Sequence, residues 1–173
     1  MSFVIVMEGC DKTGKTTTAQ ALGEMLEWPV LKFGQPGPEG AFSEYLDALV
    51  KHDGPFIADR FHMGESVYGP IYRGTPPMHD DQVSEIEELL FARGALVVLM
   101  EDEPQAVIAR FKQHREDFAR EDDVYKIMNG YEDLFRACRL PKMRATLNDT
   151  LPVVIANLVV QLTWRERAEA SAR

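Results

Sequence analysis

Positive charge is in short supply: 19 Lys and Arg stand against 28 Asp and Glu, a formal net charge of −9 over 173 residues. A nucleic-acid or anionic-membrane surface needs a basic face to displace counterions, so neither is expected as a partner. Any phosphate site must be a local cluster of Lys and Arg. Cysteine is nearly absent, with only Cys10 and Cys138. They form no spaced metal pair, and with no N-terminal signal pattern they read as reduced thiols of a cytoplasmic protein. Long apolar runs are missing as well. The longest stretch, Leu151 to Trp164, is broken by Pro152, Asn157, Gln161 and Thr163, and reads as a buried strand and helix rather than a membrane span. Repeats and low-complexity tracts are absent, and the length suits one domain spanning 1–173 that buries a core without disulfides.

What is present is an alternation of apolar runs with segments of helical period, the pattern of a parallel sheet with crossover helices, hence an α/β fold. Strands are expected at Phe3 to Met7, Val30 to Phe33, Pro55 to Ala58, Ala95 to Met100 and Leu151 to Ala156. Helices are expected from Thr16 to about Glu27, from about Ala41 to before Asp53, over Arg60 to Tyr68, over Asp80 to Arg93, from about Pro104 to Arg115, from about Asp122 to Cys138, and at the C-terminal end. Gly94 closes the helix that ends at Arg93. Gly69 to Pro77 reads as a turn-rich loop.

The segment Gly9-Cys10-Asp11-Lys12-Thr13-Gly14-Lys15-Thr16, followed by Thr17, matches the Walker A pattern between a strand and a helix. Its glycines let backbone N–H groups point inward, and the helix N-terminus adds its positive end, so the loop is an anion site. Lys15 would reach the β and γ phosphates of ATP, and the Thr16 hydroxyl would ligate Mg²⁺. The chain is therefore expected to bind a nucleoside triphosphate.

Three further stretches narrow the choice. Glu8 to Thr17 resembles the opening of the thymidylate kinases, which carry an acid at the position of Asp11. Asp59-Arg60-Phe61 resembles their Asp-Arg-aromatic motif, and Gly34-Gln35-Pro36-Gly37 a degraded form of their Arg-Glu-Pro-Gly turn. The basic segment Arg110 to Arg120, within a region of about 110–122, is placed like their lid. The resemblance implies a P-loop nucleoside-monophosphate-kinase fold with a five-stranded parallel sheet, and an ATP- and Mg²⁺-dependent kinase of nucleotide biosynthesis. It implies that Asp11 faces the acceptor's 3′-hydroxyl, that Arg60 holds the acceptor phosphate, and that Asp59 takes a Mg²⁺-bound water. Lys12 would neutralise the migrating phosphoryl group, as basic loop residues do in some members.

Transfer to a phosphate brings two anions together, so catalysis is mostly charge neutralisation. Lys12, Lys15, Arg60, Arg115 and Arg120 could supply it, although each lid arginine reads equally well as a solvated helix charge. The family's turn arginine is Gly34 here, so Lys32 or Arg73 would substitute for it. Tyr68 aligns with a family tyrosine under the sugar, or is a half-buried helix residue. Glu65 falls where the family places a small polar residue near the base, and by that likeness it could accept from a cytosine-type amino group or a hydroxymethyl substituent. Phe33 stacks on the base or closes the core of its strand. His62 and His79 read as ordinary histidines, having no spacing that suggests a metal.

The expected reaction is transfer from ATP to a deoxynucleoside monophosphate, dTMP or a related, modified or unmodified pyrimidine nucleotide. The alternatives are a deoxynucleoside kinase acting on a 5′-hydroxyl and a nucleotide-dependent switch. The expected partners are small-molecule nucleotides and a second copy of the chain in a homodimer.

Overall fold

In the computed structural model, residues 2–37, 40–75, 78–113 and 120–171 are described, with side chains through residue 163. Five parallel strands, β1 (Val4–Glu8), β2 (Val30–Lys32), β3 (Phe56–Asp59), β4 (Ala95–Met100) and β5 (Lys142–Ala145), form one sheet in the order β2-β3-β1-β4-β5. Between and after them run α1 (Lys15–Leu26), α2 (Ala41–Lys51), α3 (His62–Tyr68), α4 (Asp80–Arg93), α5 (Pro104–Gln113), α6 (Val124–Ala137) and α7 (Leu151–Ser171).

The central strands are apolar throughout because helices cover both faces of the sheet. Val4, Val6, Ala58 and Val97 point into one core with α2, α3, α4 and α6. Their neighbours Ile5, Met7, Ile57 and Val98 point into a second core with α1 and α7. The order places the carboxyl ends of β1 and β3 side by side, with Met7 opposite Asp59. In sheets of this type the crevice beyond those ends is where ligands bind.

Three sequence expectations are corrected. Leu151 to Ala156 is not the fifth strand: it is the start of α7, and Pro152 sits in the first helical turn, where its missing N–H costs nothing. The fifth strand is Lys142–Ala145, an edge strand pairing only with β4, and its exposed Lys142 and Arg144 conceal it from an apolar-run reading. In addition, helix α3 starts at His62 rather than Arg60, since Arg60 has φ +69°. The segment after α3 is not irregular loop throughout, because Gly69–Arg73 forms one turn of π-helix.

Candidate active site

The loop from Gly9 to Thr16 leaves β1 and enters α1. A Cβ at Gly9 would lie 2.1 Å from the Met100 carbonyl oxygen, so only glycine lets the loop pass β4 this closely. Gly14 has φ +93°, and a side chain there would collide with Leu147 from the β5–α7 connection. Lys12 also occupies the left-handed region, at φ +66°. Its carbonyl accepts a hydrogen bond from Arg110 Nη1 at 2.7 Å, which ties α5 to the loop. The other side of the Arg110 guanidinium is paired with Asp102.

Lys15 is buried, and its Nζ donates to the Cys10 carbonyl at 2.6 Å. Burial, and then the neighbouring Arg60 cation, bring its ammonium down to about 8, against the pull of Asp11. Asp11 itself would be raised by burial, but Arg60 and Lys15 outweigh that and hold the carboxyl below the usual range. Arg60 Nη2 is bonded to Asp11 Oδ1, and Lys15 Nζ lies 4.0 Å from the same oxygen. One carboxylate thus sits between two cations at the mouth of the loop.

Two non-glycine residues at the site, Lys12 and Arg60, are left-handed, a conformation that costs about 1–3 kcal/mol and persists where the surroundings impose it. For Arg60 the imposing contacts are its N–H bond to the Met7 carbonyl at 3.0 Å and the Asp11 pairing. Glu8, fully buried at the end of β1, braces the same turn: its Oε1 accepts the N–H groups of Phe61 and Met63, each at 3.0 Å. Burial pushes its carboxyl up.

Thr16 Oγ1 donates to Asp59 Oδ2 at 2.7 Å. Asp59 Oδ1 is buried with no hydrogen-bond partner among the described residues. A hydroxyl beside a half-satisfied carboxylate at the loop fits a Mg²⁺ ion. The described residues hold no cluster of three or more His, Cys, Asp or Glu side chains around a point, so such an ion would draw its remaining ligands from phosphate and water.

Beside the loop lies a cleft of about 270 Å³ that contains Asp11, Arg60, Phe33, Glu65 and Tyr68, five residues singled out from the sequence. Phe33 meets the edges of Phe61 and Tyr45, with centroids 5.0 and 5.5 Å away, so it belongs to the cleft wall and to the core at once. The Tyr68 hydroxyl accepts the Asp11 N–H at 3.1 Å, its ring lies 5.6 Å below the Arg60 guanidinium, and Tyr72 stacks on it at 6.0 Å. Arg73 lines the cleft and is paired with Glu65, whereas Lys32 is exposed and outside the cleft lining.

The lid arginines divide. Arg115 lies outside the described residues. The backbone N–H of Arg120 donates to the Tyr72 hydroxyl at 3.0 Å, which places it beside the Tyr68–Tyr72 stack. Thr13 is buried, bonding the Cys10 carbonyl at 2.8 Å, and Thr17 is exposed on α1. His62 is a core histidine, 3.7 Å from Glu87. Both cysteines are buried free thiols pushed up to about 12, chiefly by burial. Three site residues escaped the sequence reading. Tyr45 was detectable from the buried spacing Ala41, Tyr45, Leu49 along α2. Leu147 was lost with the misplaced fifth strand, and Glu8 carries no local signal for the turn it braces.

No described helix is long and apolar enough to cross a membrane, and the chain matches no protein-family model. It is 26% identical over 136 residues, 76% of its length and 81% of the relative's, to the SPbeta prophage-derived protein YorR of Bacillus subtilis (strain 168). The crystal structure of Bacillus subtilis YorR in complex with phosphorylated GDP superposes with a TM-score of 0.77 at 23% identity, over 95% of this chain and 98% of that one. Deoxyadenosine kinase from M. mycoides with dCMP and dCDP follows at 0.61 and 15%, over 92% and 99%. Shikimate kinase from Acinetobacter baumannii follows at 0.58 and 16%, over 93% and 94%. With its five-stranded parallel sheet and the loop geometry above, the chain has the fold of the P-loop kinases.

Proposed function

We propose that the protein transfers the γ-phosphoryl group of ATP to the phosphate of a deoxynucleoside monophosphate, with Mg²⁺. The observation that carries this reading is the Asp11–Arg60 pair, which joins the phosphate loop to the aromatic cleft and leaves Lys15 about one ion-pair distance away. An acceptor phosphate drawn to Arg60 would lie next to a γ-phosphate held by the loop and Lys15, the juxtaposition that in-line transfer requires. Thr16 and Asp59 would hold Mg²⁺, whose charge would be supplied to the donor phosphates. Lys12 and Arg120 are the further cations assigned to the migrating group, Asp11 would turn to the acceptor sugar as the Arg60 guanidinium engages phosphate, and Phe33 would stack on the base. The YorR complex with phosphorylated GDP supports a nucleotide site in this architecture.

A second reading has one observation in its favour. Both acids of the cleft neutralise its arginines, Asp11 with Arg60 and Glu65 with Arg73, a balance of charge that suits an uncharged nucleoside and its 5′-hydroxyl. Release of ADP measured across nucleosides and their 5′-monophosphates separates the two. Turnover confined to monophosphates supports the first reading, and turnover confined to nucleosides overturns it.

A further inference from the structure

The acceptor cleft does not end at its polar wall. A second hollow, about 560 Å³, adjoins it and shares Gln35, Glu65 and Arg73 with it. The cleft's own 270 Å³ is small beside the ~300–1,000 Å³ usual for small-molecule sites. The shared boundary therefore decides how large a ligand the site takes. It consists of side chains, and its centre is the Glu65–Arg73 pair, 9% and 15% exposed.

Gly69 sets the position of that pair. A Cβ there would fall 2.8 Å from Glu65 Oε1 and 2.5 Å from Thr75 Oγ1, so the glycine allows both side chains to close in on its backbone. Thr75 also lines the second hollow, with Ser43 from α2 and Gln82 from α4. Beyond the shared pair, the polar groups that the described residues give this hollow are hydroxyl, amide and imidazole, with no further carboxylate, lysine or guanidinium among them. A charged ligand group entering it would lose water without gaining a counter-ion from these residues. A hydroxyl would exchange its water for protein hydrogen bonds.

We propose that the acceptor nucleotide carries a neutral, hydroxyl-bearing substituent on its base, which extends past Glu65 and Arg73 into this second hollow. The inference rests on the monophosphate-kinase reading and names the substrate class for it. Glu65 and Arg73 supply an acceptor and donors to the base edge, and Ser43, Thr75 and Gln82 supply them to the substituent.

The test compares kcat/KM for dUMP, dTMP and dCMP with that for 5-hydroxymethyl-dUMP and 5-hydroxymethyl-dCMP, and for the corresponding nucleosides, in the wild type, Ser43→Leu and Thr75→Val. A preference of about tenfold or more for the hydroxymethyl nucleotides is expected, falling towards parity in both variants. Because the preference is a ratio measured on one preparation, partial misfolding of a variant leaves it unaltered. Equal or better turnover of the plain nucleotides by the wild type overturns the proposal, as does a preference that survives both substitutions. Phosphorylation of the hydroxymethyl nucleosides, but not of their monophosphates, would overturn the acceptor-phosphate reading and still support the second hollow. No turnover with any acceptor would overturn both.

Discussion

The hydroxyl of Tyr68 accepts the backbone N–H of Asp11 at 3.1 Å, so a residue of α3 holds the phosphate loop at its acidic position. Tyr68→Phe keeps the ring under Arg60 but leaves that N–H without its partner, at a cost of about 1–3 kcal/mol if the amide stays buried. Denaturant unfolding should show this loss. Tyr68→Ala should in addition raise turnover of ribonucleotide acceptors relative to deoxynucleotides, within the ~1–3 kcal/mol of steric discrimination. An unaltered ratio would restrict Tyr68 to holding the loop.

Lys12 combines a left-handed backbone with a cationic side chain on the phosphate loop. Lys12→Gly removes both features. Stability should rise by about 1 kcal/mol, because glycine adopts this conformation without penalty. In contrast, kcat should fall about tenfold, or ~1.4 kcal/mol, with ATP affinity nearly constant. A mutant with unchanged kcat would show that the cation plays no part in transfer. A raised KM for ATP at constant kcat would make it a ground-state ligand.

Asp59→Asn keeps an acceptor for the Thr16 hydroxyl and removes the charge that faces the expected Mg²⁺. The Mg²⁺ concentration for half-maximal activity should rise about tenfold or more, with activity partly recovered at high Mg²⁺. A titration curve superimposable on that of the wild type would leave Asp59 as a structural partner of Thr16.

Burial and the Arg60 cation bring the Lys15 ammonium down to about 8. Since its pKa is depressed below the unfolded value, the folded chain binds fewer protons between about pH 8 and 10, and this residue weakens folding most below that window. Phosphate favours the charged ammonium, so nucleotide binding above pH 8 should take up a proton and weaken by up to about tenfold per pH unit. Calorimetry in two buffers of different ionisation enthalpy measures the uptake. Binding that is independent of pH from 7 to 9.5 would contradict the assignment.

The phosphate loop, the Asp59-Arg60 strand end and the α4–β4 boundaries could be read from the sequence because each is local: glycine spacing, an apolar run before an acid, a helix closed by Gly94. The edge strand Lys142–Ala145 could not, since a strand at the sheet margin with exposed alternate residues needs no apolar run. The start of α7 deceived in the opposite direction. Its buried Leu151, Ile155 and Val159 recur every four residues, but Val153 and Val154, both exposed, fill the gaps and imitate a strand. Contacts such as Arg110 on the Lys12 carbonyl and Glu8 on the turn after β3 depend on elements 50 or more residues apart. No single window of sequence contains them.

The central claim is that a phosphoryl group passes from the loop to a phosphate in the cleft. Single-turnover incubation of the protein with γ-labelled ATP, Mg²⁺ and a mixture of deoxynucleoside monophosphates and the corresponding deoxynucleosides, followed by separation of the products, tests this most directly. The label should appear in the deoxynucleoside diphosphate, and Lys15→Met should abolish its transfer while leaving the fold intact. Recovery of the label in inorganic phosphate alone, or in a monophosphate made from added nucleoside, would contradict the account.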